Sequence, residues 1–332
     1  MRIASLLCLL AACAAMLPAQ TAPMTLLKVD IENAAIYIDD VSDPARRATS
    51  QAMVPWPSAL SFTFKPAAGV GDIVAINGKP AKGSFVTRHF MYMFTPNYTP
   101  GRMFADIATG GVTDANFVIQ GPDGTPVGSI ITSGFCGAAP PPGSPSDATG
   151  NEWAVLGGSG AYMGVRGQAT GYTVVASQYR SMLEDPANRR TNPGGGKWVR
   201  YIHLIPMTWP EVWTLPSGPA IFHGADFSLV TPEKPARAGE QLIMGLKGLG
   251  PVKGKLEPGQ PFPSGDLMEV NSPVEVTVNG KPATVATKVG GPTMTDVYRA
   301  DFVVPEGTTP GMASVVPIVA WINGSEVKIP VR

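Results

Sequence analysis

Val155-Leu156-Gly157-Gly158-Ser159-Gly160-Ala161-Tyr162-Met163-Gly164-Val165-Arg166-Gly167 carries glycines at positions too regular for an ordinary loop. Glycine reaches positive φ without steric penalty and lets backbones approach closely, so this density marks a turn or bulge at the end of a strand. The residues that follow resume a strand. Arg166, Gln168, Thr170, Tyr172 and Val174 share one of its faces by the two-residue period. Strand, glycine turn and returning strand make the chain a β protein, and the sequence on either side agrees.

Glycine (38) and proline (34) form more than a fifth of the 332 residues, and Val, Ile and Thr are abundant. That balance signals many short strands and turns. Strand-like runs fall at 58–64, 72–76, 84–95, 114–120, 127–133, 153–156, 167–177 and 198–207. About eight strands suit a closed antiparallel barrel, which leaves no edge to template aggregation. Gly121-Pro122-Asp123-Gly124 suits a tight turn between two of them. Asn77-Gly78, Asn279-Gly280 and Asn323-Gly324 each predict a type I′ hairpin turn, which needs positive φ at both central residues. The first two extend to an identical Asn-Gly-Lys-Pro-Ala inside unlike flanks, so they read as one turn chemistry reached twice. Segments 136–151 and 184–197 read as long loops. The proline-broken stretch 206–218 separates a barrel over 24–205 from a second β domain over 219–332, whose strands alternate as a sandwich requires.

Formal net charge is zero, 15% of residues are charged and no basic run occurs, which excludes nucleic acid as a partner. Met1-Arg2, an apolar run over 3–17 and Leu17-Pro18-Ala19-Gln20 form a secretory signal peptide over 1–19. The run is short for a spanning helix, and no other segment approaches the ~18 apolar residues that one needs. The expected location is therefore outside the cell or at its surface. Leu10-Ala11-Ala12-Cys13 offers the alternative of a lipobox, with lipid anchoring at Cys13. With Cys8 and Cys13 in the leader, Cys136 stands alone, with no histidine near it in sequence to act as a base. It reads as a small buried or half-buried thiol.

Gly157-Gly158-Ser159-Gly160, five residues, then Arg166-Gly167 resembles the hairpin of dirigent proteins and of the related allene oxide cyclase barrels. There, Gly-Gly-Thr-Gly leads through variable residues to Ala-Arg-Gly and the next strand. The resemblance implies an eight-stranded barrel holding a small apolar or phenolic, lipid-like molecule, and assembly as a trimer. Ala161 stands where several plant members carry an acid that assists phenol chemistry. Over the last third, Gly248-Leu249-Gly250-Pro251-Val252, the run 274–283 and the run 298–307 resemble the Ig-like C-terminal domain of secreted acidobacterial (Solibacter-type) proteins. That resemblance implies a surface or spacer module without catalytic residues.

Little in the sequence points to chemistry. His89, His203 and His223 lack metal-ligand spacing, and Asp39-Asp40, Asp43 and Glu184-Asp185 lack the density of a calcium loop. Neither a metal nor a cofactor is expected. Ser159 sits outside any strand-to-helix elbow and reads as a turn residue. Arg166 facing inward would bind an anion or carboxylate, and facing outward would be solvated or paired. It is the first candidate for a ligand-binding residue, followed by Tyr162, Tyr172 and His89. Along 84–95, Phe85, His89, Met91 and Met93 share one face while Phe90, Tyr92 and Phe94 share the other, so one could line a lumen and the other a subunit or domain contact. Two functions fit: a binding or scaffold protein, or an enzyme whose lumen steers the coupling or cyclisation of a reactive intermediate.

Overall fold

The computed structural model describes residues 25–38, 62–94, 109–136, 140–181, 184–191, 194–207, 209–256 and 259–332. The leader with Cys8 and Cys13, the acids Asp39, Asp40 and Asp43, and the side chains of Phe90, Met91, Tyr92, Met93 and Phe94 lie outside that description.

Eight strands form the first domain: β1 (Thr25–Ile38), β2 (Phe62–Ile76), β3 (Lys82–Phe94), β4 (Thr109–Gln120), β5 (Pro126–Cys136), β6 (Asn151–Gly160), β7 (Arg166–Val175) and β8 (Gly196–Ile205). Each pairs antiparallel with the next, and β1 pairs with both β8 and β2, so the sheet closes on itself as a barrel. The strand count matches the sequence reading, but its members differ. β1 was missed, and the runs 58–64 and 72–76 fall within or beside the single strand β2. Alternation in β1 is plain at first, with Leu27, Val29 and Ile31 buried and Lys28, Asp30 and Glu32 turned outward. A bulge then interrupts it after Ile31, where Asn33 takes φ 53°. In β2, Gly69 and Gly71 resemble turn signals yet lie within the ladder. A Cβ on Gly69 would meet the side chains of Thr87, His89 and Trp198, and one on Gly71 would meet Ile31. Both leave room inside the barrel.

The second domain is a curled sheet: β9 (Ile221–His223), β10 (Gln241–Lys247), β11 (Val274–Val278), β12 (Lys281–Gly290), β13 (Tyr298–Val303), β14 (Gly311–Val319) and β15 (Val327–Val331). β12 pairs with β11 from Lys281 to Ala283 and with β13 from Thr284 onward, with a bulge between Val285 and Thr287, which links the two halves of the sheet. Their inward residues, among them Val276, Val278, Val315, Leu242, Met244 and Phe302, share one core. Part of the connecting segment also joins this sheet, since Glu211–Val212 pairs with Leu246 and Lys247.

Two of the Asn-Gly pairs form the expected turns by the same means. Asn77 and Gly78 take φ 51° and 75°, and Asn279 and Gly280 take 48° and 75°. In each, the asparagine reaches sideways to a third strand. Asn77 N–H donates to the Lys28 carbonyl at 2.8 Å and its Oδ1 accepts from Lys28 N–H at 2.7 Å. Asn279 makes the same two bonds to Ser314, both at 2.8 Å. The third pair is a correction. The turn after β14 is made by Ala320 and Trp321, at φ 49° and 62°, because Val319 pairs with Ile322 and Ile318 with Asn323. Gly324 instead packs against the Pro210 carbonyl, where a Cβ would lie 2.1 Å away.

The two ends of the barrel differ. Tight connections at 77–78, 121–125 and 161–165 cluster at one end, and the strand ends at Ile38, Phe62, Phe94, Thr109, Cys136, Asn151, Val175 and Gly196, from which the longer connections run, lie at the other. The second domain covers the tight end. Lys79 forms an ion pair with Glu275, and fully buried Tyr162 donates from its hydroxyl to the Ala320 carbonyl at 3.4 Å. The glycine motif permits that seating. A Cβ on Gly158 would stand 2.5 Å from the carbonyl oxygens of Ser129 and Tyr162, whereas one on Gly157 would meet only the Arg166 guanidinium at 3.5 Å. Gly158→Ala is therefore expected to destabilise the fold by about 1–3 kcal/mol, as overpacking does, with Gly157→Ala near neutral. Urea unfolding of the two variants checks this, and equal effects would contradict the packing argument.

Candidate ligand site in the barrel lumen

Side chains from β1, β2, β4, β5 and β8 fill the tight-turn half of the lumen. Leu27, Ile76, Phe117, Ile119, Ile130, Ile202 and Leu204 are all at most 1% exposed. Toward the long-loop end the filling stops, and a cavity of about 500 Å³ opens. Its walls are Phe85, Thr87 and His89 from β3, Cys136 from β5, Asn151 and Trp153 from β6, Thr173 from β7, and Trp198 and Arg200 from β8. Thr149, Gly150, Ala176 and Ser177 form the mouth.

Small residues on β7 face large ones on β8. Gly167 pairs with Leu204, Ala169 with Ile202, and Gly171 with Arg200. A Cβ on Gly171 would lie 2.2 Å from the Val199 carbonyl oxygen and 2.8 Å from Arg200 Cδ, so the β8 backbone and the arginine both lie close against the glycine. Arg200 is 6% exposed. Its guanidinium carbon lies 5.5 Å from the ring centre of Phe85, 5.6 Å from Trp153 and 5.1 Å from Trp198. Nη1 donates to the carbonyls of Tyr172 at 3.1 Å and Val199 at 3.0 Å. Buried Nε has no acceptor. Among the described residues no carboxylate pairs with this cation, whose burial draws its pKa down to about 10 while the nearby Cys136 acts to raise it. Below that pH it remains charged. Burying an ion costs several kcal/mol after relaxation. Desolvated cation–π contacts return about 2 kcal/mol and hydrogen bonds to a charged group about 1.5–3 kcal/mol. The rings and carbonyls thus offset much of that cost, but one edge of the fork is left without an acceptor.

His89 faces the same space and is held at both nitrogens. Nδ1 is 2.8 Å from Thr113 Oγ1, Nε2 bonds Thr87 Oγ1, and that oxygen accepts from Gly69 N–H at 3.0 Å. Burial, and then the charge of Arg200, lower its pKa to about 4. The imidazole is therefore neutral at neutral pH.

No family model matches the chain, and no curated protein matches it by sequence.

The sequence-derived candidates separate. His89 lines the lumen. Arg166 does not, because the β7 register that turns Gly167, Ala169 and Gly171 inward turns Arg166, Gln168, Thr170 and Tyr172 outward. Arg166 is exposed and donates to the carbonyl of adjacent Val165 at 2.9 Å. Tyr172 belongs mainly to the outer face. It stacks near Tyr201 at 6.3 Å under the loop 140–150, where Asp147 accepts from the Tyr201 hydroxyl at 2.7 Å, and it reaches the cavity only at its edge. Tyr162 is buried at the opposite end, and burial pushes its hydroxyl pKa far up. Arg200, Trp153 and Trp198 escaped the sequence reading. Cys136 is a half-buried free thiol on the cavity wall.

Among the described residues no three His, Cys, Asp or Glu side chains gather to hold a metal. Glu184 pairs with Arg180 at 2.9 Å, and Asp185 caps the short 3-10 helix Pro186–Arg190. A second depression, of about 600 Å³, lies between Leu26, Trp209 and Trp321, but its Asn77 amide is already bonded to the backbone of Lys28 and Leu26.

The lowered pKa of His89 carries a stability sign. Between its ordinary 6.5 and about 4 the unfolded chain takes up a proton that the folded chain refuses. The contribution is complete above 6.5 and is lost as pH falls toward 4, and His203, also lowered by burial, has the same sign. NMR of the imidazole should find His89 neutral at pH 5.5. Titration near 6.5 would contradict its buried, neutral placement.

Proposed function

We propose that the chain is an exported binding protein whose barrel holds a small organic molecule, apolar or phenolic in body, in the long-loop half of the lumen. The observation that carries this reading is the cavity of about 500 Å³ walled by Phe85, Trp153 and Trp198 around a buried arginine. Its volume lies within the range of small-molecule sites, and a largely apolar wall with few polar groups is what such sites share. Export is supported by the leader-like first residues. A dirigent or allene oxide cyclase type of barrel is supported by the glycine hairpin and the closed eight-strand sheet, and an Ig-like second domain by the motifs in its strands. Among the described residues no helix is long and apolar enough to cross a membrane.

Binding is favoured over turnover by His89. Both of its nitrogens are engaged by the hydroxyls of Thr87 and Thr113, so this imidazole is not free to act as a base on a ligand. The alternative, an enzyme steering cyclisation or coupling, would rely on shape and on Arg200 alone. Self-association has a suitable surface in exposed Val86, Val112, Ile131 and Phe135 on the outer face of β3 to β5, where Val112 and Phe135 are direct partners.

The neutral probe 2-naphthalenemethanol should bind at one saturable site per chain and quench tryptophan fluorescence. Thr173→Trp, which fills the lumen beside Trp198, should abolish that binding, and Arg166→Gln, on the outer face, should leave it unchanged. Non-saturable uptake, or full binding by Thr173→Trp, would refute a lumen site.

A further inference from the structure

We propose that the natural ligand is a monoanion, an organic acid whose carboxylate or similar planar oxyanion pairs with Arg200. This rests on the lumen being a ligand site. The argument starts from charge. None of the residues lining the cavity is Asp or Glu, and no ion pair of Arg200 exists among the described residues, so the wall carries one positive charge without a counter-charge. His89 adds nothing at neutral pH.

Geometry then narrows the partner. Aromatic rings surround the guanidinium at 5.1–5.6 Å, and Nη1 is taken by two backbone carbonyls. Nη2 remains for a ligand, while Nε, which also has no acceptor, is itself buried. A carboxylate oxygen at Nη2 would make a charge-assisted hydrogen bond, and its charge would answer that of the guanidinium. Trp153 and Trp198 in the same wall favour a flat, apolar body attached to the acid group. Thr149, Asn151 and Ser177 at the mouth suit a polar far end. A dianion such as inorganic phosphate would bring one charge more than the wall can match.

The test compares 2-naphthoate with 2-naphthalenemethanol by calorimetry on the full chain, since the two share a ring system and differ in charge. The acid should bind at least about tenfold tighter, as expected for a charge-assisted hydrogen bond. In Arg200→Leu the acid should fall to the affinity of the alcohol while the alcohol is held nearly as before, which also reports a folded lumen. Arg200→Lys should keep part of the preference. Equal affinities at neutral pH, or a preference that survives in Arg200→Leu, would overturn the inference. Binding of the alcohol without an acid preference removes only the anion claim, whereas binding of neither probe removes the lumen site and the anion claim together.

Discussion

The double pairing of β1 is the constraint on which the structure depends. Its residues from Thr25 to Ala34 pair with β8, those from Val29 to Ile38 pair with β2, and together these convert a curled sheet into a barrel with an inside. Once an inside exists, residue parity on each strand assigns every side chain to core or solvent. The barrel is then divided along its axis. Tight turns, the glycine hairpin and Tyr162 seal one end against the second domain, and bulky aliphatic residues fill that half. At the other end the strand ends and the described loops at 140–150 and 176–177 surround the stretch of lumen that aliphatic residues leave open. Loops positioned on a rigid scaffold are where binding sites usually lie.

Arg200 sets the character of that open half. A purely structural role would be to bind Phe85, Trp153 and Trp198 into one aromatic cluster, and the ring distances of 5.1–5.6 Å are those of cation–π contacts. One feature exceeds that role: Nε is buried with no acceptor, and among the described residues no carboxylate pairs with the cation. A cluster built for stability alone would be better served by an apolar side chain of the same volume, because a buried ion contributes little to stability.

Much of the architecture was legible because it rests on local chemistry. Asn77-Gly78 and Asn279-Gly280 form the turns that their residues require, and the glycines of 157–167 mark the close approach of β5, the turn and Tyr162. The third Asn-Gly misled because pairing of Val319 with Ile322 moved the turn to Ala320 and Trp321, a choice made by the ladder and not by the dipeptide. β1 and β2 were misread because a bulge and two space-making glycines imitate breaks. The site was less legible. On β8 the residues 198–204 are buried on both faces, inward by the lumen and outward by the loop 140–150, so alternation could not show that Arg200 points in. Arg166 and Arg200 each stand on a strand, and only the register separates them. One signal was present: Gly167, Ala169 and Gly171 alternate with larger residues, which marks the crowded, inward side of β7.

Cys136 offers the most direct test of the central claim, that the long-loop half of the lumen is a ligand site, because its thiol lies on the cavity wall. The measurement is the rate of its alkylation by iodoacetamide, read by mass spectrometry on the peptide that contains it, with and without saturating 2-naphthoate. The account predicts slower alkylation when the ligand is present. An alkylation rate that the ligand leaves unchanged would contradict it.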